Sequence, residues 1–473
     1  MKILDYKLYY FLGVGGIGMS ALARYFNHYG KSVSGYDKTK TLLTSQLEEE
    51  NIACHYEENV ELLKSILKNY NKEEILIIFT PAVPLDHTEY LYLKENNYTI
   101  LKRSQVLGEI TKQFKTIAIA GTHGKTTTTT MVSHLLKNSG INCFAFMGGI
   151  SKNYDTNLLL GDPDKPDTYL VVEADEYDRS FLTLHPFFAV ITSCDADHLD
   201  IYGNHQFVKE GYELFAKQIQ KEGCLIVNKN VDNDLSLPPN KLIYSLNLNT
   251  DYVAENVSFI ESEAHYDVVS PIENINGVCL GITGAHNVEN SLAAIAIAQQ
   301  LGLKGEQIKD ALRSFSGVKR RFDYRIKSEK IIYIDDYAHH PEELKVTISS
   351  VKKIYPGKRV TGIFQPHLFS RTRDFADGFA ESLSLLDEVI LLEIYPAREL
   401  PIAGVNSDML LEKVTKINKK LFSKKDLLSY IMFNKFEIVL TMGAGDIDRL
   451  VEPIEILLKA KLIDQNKNEK NKL

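Results

Sequence analysis

No stretch of this 473-residue chain comes near the run of ~18 apolar residues that a membrane-spanning helix needs, so insertion in a membrane is not expected. No basic stripe interrupts a formal charge of -8, from 54 Lys and Arg against 62 Asp and Glu, and such a surface repels a nucleic-acid backbone. Of the 5 cysteines no two lie closer than Cys194 and Cys224, so neither a zinc knuckle nor a CxxC redox pair can be written. The odd count and wide scatter suit reduced thiols in a cytoplasmic enzyme. The apolar stretch from Leu8 to Val14 has Asp5 and Lys7 before it and glycines directly after it, the wrong flanks for a secretory signal. A cytoplasmic protein is the expectation. What is present is ordinary: 44% hydrophobic and 25% charged residues exclude collagen-like, wholly disordered and coiled-coil chains. The length predicts about three domains.

The pattern along the chain is an alternation of short apolar runs and helical stretches, which predicts parallel strands joined by crossovers. KLYYFLGVG, KSVSGYD and EILIIFTPAV open it, with helices to about Gly30 and around Leu42 to Asn51. A second start, KTIAIAGTHGKT, is followed by TYLVVEAD, FFAVITSC and GCLIVN. Between Leu235 and Val278 the Asn, Ser and Pro content with alternating apolar residues predicts a small antiparallel excursion or an irregular insert. A third alternation runs through IIYIDDYAHH, RVTGIFQPH, EVILLEIYPARE and FEIVLTMGAG. Three α/β domains in series are expected, ending in a polar, Lys-rich stretch, 465–473, read as a frayed tail.

Two glycine clusters carry chemistry. Gly13, Gly15 and Gly18 have GxGxxG spacing between a strand and a helix, and Asp37 ends the next strand. That arrangement lets backbone approach a pyrophosphate at a helix N-terminus while an acid reaches a ribose, although it also marks any tight strand-to-helix packing. A second phosphate loop begins near Lys115, leaving room for little more than one nucleotide-binding half. That loop, Gly121 to Thr129, departs from GxxxxGK[ST] because Ile119 replaces the first glycine. Its backbone N–H groups would cradle phosphates, Lys125 would reach the β and γ oxygens, and the Thr126 hydroxyl would hold Mg2+. Glu173, Asp175, Glu176 and Asp178 cluster at the end of a strand, where α/β sheets bind ligands. Glu173 is the expected Mg2+ ligand; a solvated acidic turn is the other reading and suits Asp178 better. His198, just past a strand and beside acids, is a further candidate ligand.

GTHGKTTTT, VVEADEYDRSF, DADHLDIYG, GAHNVENSLAA, RRFDY, DDYAHHPEE and QPHLFSRTRD, in this order and over essentially the whole chain, resemble the Mur ligase family of peptidoglycan synthesis. The resemblance implies a Rossmann-like UDP-sugar-binding domain over 1–107, a central P-loop ATPase domain with a mainly parallel sheet over 108–317, and a Rossmann-like amino-acid-binding domain over 318–473. It implies an ATP-dependent ligase that adds L-alanine to UDP-N-acetylmuramate through an acyl phosphate, with Mg2+ as cofactor and a monomer or weak homodimer as the assembly. ATP would lie on Gly121, Thr122, His123, Gly124, Lys125, Thr126 and Thr127, with Thr126, Glu173 and His198 around the metal. His286, Asn287 and Asn290 match the HNxxN pattern that meets adenine; Arg321 and Asp336 match residues near the nucleotide. Gly13, Gly15, Gly16, Ile17, Gly18, Ser20 and Asp37 would hold the UDP portion. Tyr337, Arg371 and Arg373 are implied on the amino-acid side, and His339 is the candidate to take the amine proton. Asn290, Arg321 and Arg373 read equally well as a helix-face polar residue, a linker ion pair and a surface ion pair. Leu368 stands where family members often carry an arginine after QPH, which leaves Arg371 and Arg373 as the forks for a carboxylate. A ligase that adds a preformed tripeptide to the same UDP-sugar remains the neighbouring reading. A nicotinamide-dependent oxidoreductase, which rests on the first glycine cluster alone, and a phosphate-loop switch are the readings from other classes.

Overall fold

LYYFL, buried along its whole length, forms β1 (Leu8–Leu12), and a strand apolar on both faces belongs in the middle of a parallel sheet covered on both sides. It lies there. The computed structural model describes residues 2–195, 202, 204–247, 249–260, 263–397 and 399–470, and the strands among them form three sheets. The chain divides into two compact units, Met1–Val318 and Lys319–Leu473. Among the described residues no helix is long and apolar enough to cross a membrane.

The first unit opens with β1, β2 (Ser32–Tyr36), β3 (Ala53–His55), β4 (Ile75–Phe79) and β5 (Thr99–Lys102), paired in parallel in the order β3-β2-β1-β4-β5. Strand order reverses at β1, so the glycine turn leaving β1 sits at the switch point where such sheets bind ligands. Tyr9 of β1 stacks on Phe26 at 3.9 Å between ring centres, which seats the helix Ile17–His28 on one face of the sheet.

The second sheet contains β6 (Lys115–Ala120), β7 (Cys143–Ser151), β8 (Thr156–Leu159), β9 (Tyr169–Glu173), β10 (Pro186–Ile191), β11 (Cys224–Asn228), β12 (Lys241–Ser245), β13 (Tyr252–Ile260), β14 (Glu263–Val269) and β15 (Ile275–Leu280). Their order is β15-β14-β13-β12-β11-β10-β6-β9-β7-β8, with β6 parallel to both β10 and β9. The expected antiparallel excursion is β13, β14 and β15. Met131, Val132 and Leu135 of the helix Lys125–Asn138 share a core with Val288, Leu292 and Ile295 of the helix Ala285–Gln300. That packing sets the phosphate loop beside the HNxxN segment.

Three sheets stand where the sequence predicts three domains, but the first two sheets share one unit. Buried Asn157 on β8 donates to the Ile17 carbonyl at 2.6 Å and to Ser20 Oγ at 2.9 Å, and accepts from Arg24 Nη1 at 2.6 Å. Tyr25 meets Phe144 of β7 edge-on. The second unit holds β16 (Asp323–Lys327), β17 (Ile332–Asp336), β18 (Val360–Phe364), β19 (Glu388–Leu391), β20 (Lys419–Leu421) and β21 (Ile438–Met442) in the order β16-β17-β21-β18-β19-β20. All pairs are parallel except β16 with β17. The last helix, Asp448–Lys470, carries helical backbone into the stretch read as a frayed tail, of which 471–473 lie outside the described residues. No glycine or proline follows Pro453 to stop it, and Lys, Glu and Gln propagate helix well.

Candidate active site

The phosphate loop links β6 to the helix Lys125–Asn138 and is held from below by the residues that follow β10. The Thr122 N–H donates to the Ser193 carbonyl at 3.2 Å, the His123 N–H to Ser193 Oγ at 2.7 Å, and Thr192 Oγ to the carbonyls of Ala120, at 3.1 Å, and His123. Gly121, at φ 134°, lies against Thr192, where an added Cβ would come within 2.0 Å of its hydroxyl. Gly124, at φ 83°, caps the helix, and a Cβ there would meet Asn290 Oδ1 at 2.6 Å. Both positions require glycine. Buried Thr126 and Thr127 begin the helix, whose N-terminal N–H groups suit an anion.

Lys125 Nζ donates to the carbonyls of Gly121 and Thr122 at 2.6 and 3.3 Å and to Glu176 Oε1 at 2.8 Å. Burial works against its charge, but Glu176, Glu173 and Asp175 outweigh burial and raise its pKa above the usual lysine value. Burial pushes the Glu176 carboxyl up to about 7, with Lys125 pulling against it. Glu176 is a site residue that the sequence reading leaves unassigned. Its signal was present, three residues after Glu173, but nothing in the sequence says which acid of the cluster faces the lysine.

Glu173 ends β9 level with Ile119 of β6, one strand from the phosphate loop. Its Oε2 accepts from the Gly148 N–H at 3.1 Å, and a Cβ on Gly148 would fall 2.1 Å from that oxygen. A Cβ on the adjacent Gly149 would lie 3.1 Å from the Thr126 methyl, so the Glu173 and Thr126 side chains flank one Gly-Gly step of β7. The two offer a carboxylate and a hydroxyl, hard oxygen donors that fit Mg2+. His198, the third expected metal residue, lies outside the described residues.

The first glycine loop opens on a cavity of about 260 Å³ whose walls include Gly16, Ile17, Gly18, Arg103, Glu173 and Asp175. One space therefore touches the expected UDP-sugar loop and the acids beside the phosphate loop. Arg103 spans it, with Nη2 3.2 Å from Asp175 Oδ2 and its guanidinium against Gly18. Gly13 makes the turn out of β1 at φ 89°. Asp37 accepts from the Gly15 N–H at 2.8 Å and from the Thr39 N–H at 3.1 Å, so in this state it secures the glycine loop. Ser20 Oγ donates to the Ile17 carbonyl at 3.0 Å and accepts from Asn157, a buried residue with no recognisable sequence signal.

On the helix Ala285–Gln300, Asn290 faces Gly124, while Asn287 Nδ2 donates to the Thr283 carbonyl at 2.7 Å. Burial lowers the His286 pKa to about 4, which keeps the ring neutral.

In the second unit the RRFDY and DDYAHH segments interlock. Asp336, at the end of β17, accepts the N–H groups of Phe322 and Ala338, both at 2.8 Å, and burial, opposed by Arg321, raises its carboxyl to about 6. The Arg321 guanidinium lies 4.9 Å from the centre of the Tyr337 ring. His339 Nδ1 is 3.0 Å from the Tyr337 carbonyl and 3.3 Å from Glu343 Oε2, and the ring meets Tyr337 edge-on at 5.2 Å. Arg371 and Arg373 share the helix Phe369–Asp374; Arg373 is exposed and pairs with its neighbour Asp374 at 2.7 Å, the surface ion pair that was its other reading. Leu368 precedes that helix at φ 68°.

Comparison with known proteins matches the family domain descriptions "Mur ligase family, catalytic domain" over 8–115, "Mur ligase middle domain" over 119–298 and "Mur ligase, glutamate ligase domain" over 320–445. A UDP-N-acetylmuramate--L-alanine ligase of Parabacteroides distasonis is 50% identical over 462 residues, 97% of this chain and 99% of that protein. The enzyme of the same name from Flavobacterium johnsoniae is 49% identical over 98% of this chain and 100% of its own length. The crystal structure of a UDP-N-acetylmuramate-alanine ligase from Thermotoga maritima superposes with a TM-score of 0.79 at 26% identity, over 96% of this chain and 99% of that one. The chain belongs to the Mur ligase family.

Proposed function

We propose that this chain is an ATP-dependent ligase that joins L-alanine to the lactyl carboxylate of UDP-N-acetylmuramate, releasing ADP and phosphate, in the synthesis of peptidoglycan precursors. The observation that carries the reading is the cavity shared by Gly16–Gly18 and by Glu173 and Asp175. A UDP-sugar held by the first loop would extend its acid group toward a triphosphate held by the second. The names of the half-identical, full-length relatives support L-alanine as the amino acid.

The physical obstacle is that a carboxylate must approach a triphosphate of the same sign. Lys125 answers it with an ammonium kept charged inside the protein, and the helix N-terminus at Gly124 adds its dipole. Mg2+, which Thr126 and Glu173 suit as oxygen donors and to which the same motif set adds His198, would cancel further phosphate charge when bound. A lactyl oxygen then takes the γ-phosphoryl group, ADP departs, and the alanine amine attacks the acyl carbon and expels phosphate. His286, Asn287 and Asn290 serve the adenine end. In the second unit Arg321 and Asp336 serve the nucleotide, while Tyr337 and Arg371 serve the amino acid, the Arg371 fork matching its carboxylate. An imidazole that donates from Nδ1 to the Tyr337 carbonyl carries its lone pair on Nε2, the form that accepts an amine proton, and this supports His339 as the base.

The test is ADP release with UDP-N-acetylmuramate and each of the twenty amino acids in turn, with the preformed tripeptide alongside. L-Alanine is expected to sustain turnover. Turnover with the tripeptide and not with L-alanine would make the chain the recycling ligase instead.

A further inference from the structure

The second sheet ends in an antiparallel strand pair that the reaction does not use. In it His265 of β14 stands directly opposite Cys279 of β15, and Glu263, two residues before His265, projects from the same face. Cys279 Sγ is 3.3 Å from Glu263 Oε2, and His265 Nε2 is 3.7 Å from that oxygen. All three donor atoms lie within 4.8 Å of one another. A tetrahedral ion with bonds of ~2.0–2.3 Å has donor-to-donor edges of about 3.3–3.8 Å, so two edges of such a site are already formed. We propose that Glu263, His265 and Cys279 bind one divalent cation of the Zn2+ class at the edge of this sheet.

The donors decide the class. A thiolate and an imidazole select a borderline or soft ion, whereas Mg2+ prefers oxygen alone. Burial and the Glu263 carboxylate raise the Cys279 pKa, with the Arg313 guanidinium opposing them, so a bound ion has to displace the thiol proton. Cys279 is 7% exposed, while Glu263 and His265 are open to solvent. The ion therefore enters from water and keeps its fourth position for a water or an outside donor. Four strands separate β14 from the phosphate-loop strand β6, roughly 24 Å at the usual strand spacing, so this site is distinct from the nucleotide site. A bound ion would tie β14 to the edge strand β15, which leads directly into the segment bearing His286 and Asn290.

Titration of the full-length chain with Co2+, a spectroscopic stand-in for Zn2+, tests this. One equivalent should produce a thiolate-to-cobalt absorption band that Zn2+ abolishes and Mg2+ leaves unchanged. The band should vanish in Cys279→Ser, weaken in His265→Gln with at least a tenfold rise in Kd, and persist in Cys224→Ser. Circular dichroism confirms folding, and if Cys279→Ser does not fold, the solvent-facing His265→Gln decides alone. No band with the native chain, an unchanged affinity in His265→Gln, or loss of the band in Cys224→Ser would each overturn the assignment.

Discussion

Lys125 and Glu176 form an ion pair at 2.8 Å with side chains only 13% and 3% exposed. Such a pair is costly to break from one side, because the remaining charge has no water to turn to. Glu176→Gln is expected to cost about 3 kcal/mol in urea unfolding without nucleotide. Glu173 and Asp175 remain to share the ammonium, which keeps the loss at the low end of the range. A nonhydrolysable ATP analogue, which brings its own negative charge to Lys125, should shrink the difference from the native chain; an unchanged difference would mean the lysine does not meet phosphate. Lys125→Ala should lower ADP release by at least about 10²–10³-fold while UDP-sugar affinity, measured by calorimetry, stays within about twofold. Normal turnover in that variant would remove the phosphate-loop assignment. The sequence announced Lys125 through its glycines and threonines, but Glu176 became legible only when folding brought it across 51 positions to the ammonium.

At the scale of elements, the β1, β4, β6 and β10 runs were legible because strands buried on both faces are written as unbroken apolar residues ending in a turn. The short strands β3, β5 and β20 were not. Three or four residues of mixed polarity, such as ACH in Ala53–His55, carry no periodicity, and only the sheet beside them makes them strands. β7 and β8 are hard to read for a related reason: the Gly148-Gly149 step that accommodates Glu173 and Thr126 reads in sequence as a breaker. Asn157 is the clearest case, a buried amide that satisfies Arg24, Ser20 and the Ile17 carbonyl and so fixes the helix behind the first glycine loop. Asn157→Ala strands those groups and should cost about 2–3 kcal/mol. It should also weaken UDP-sugar binding more than binding of the ATP analogue, and equal losses for both ligands would show that the amide stabilises without positioning the loop.

At the scale of the whole molecule, a single dinucleotide is a poor fit, since the first sheet ends at β5 and one helix, Arg103–Thr111, leads from it to the phosphate-loop strand β6. Stability should carry the signature of the nucleotide segment as well. The unfolded chain protonates His286 near 6.5, whereas burial holds the folded ring at about 4, so its contribution is complete above 6.5 and lost as pH falls toward 4. The pH dependence of native minus His286→Gln stability isolates this effect, and a difference that stays flat between pH 7 and 4 would refute it. The chemistry itself is tested most directly by supplying UDP-N-acetylmuramate with ¹⁸O at both oxygens of its lactyl carboxylate, together with ATP and L-alanine, and weighing the released phosphate. An acyl-phosphate route predicts one ¹⁸O in each phosphate formed. Phosphate free of label while the amide accumulates would contradict it.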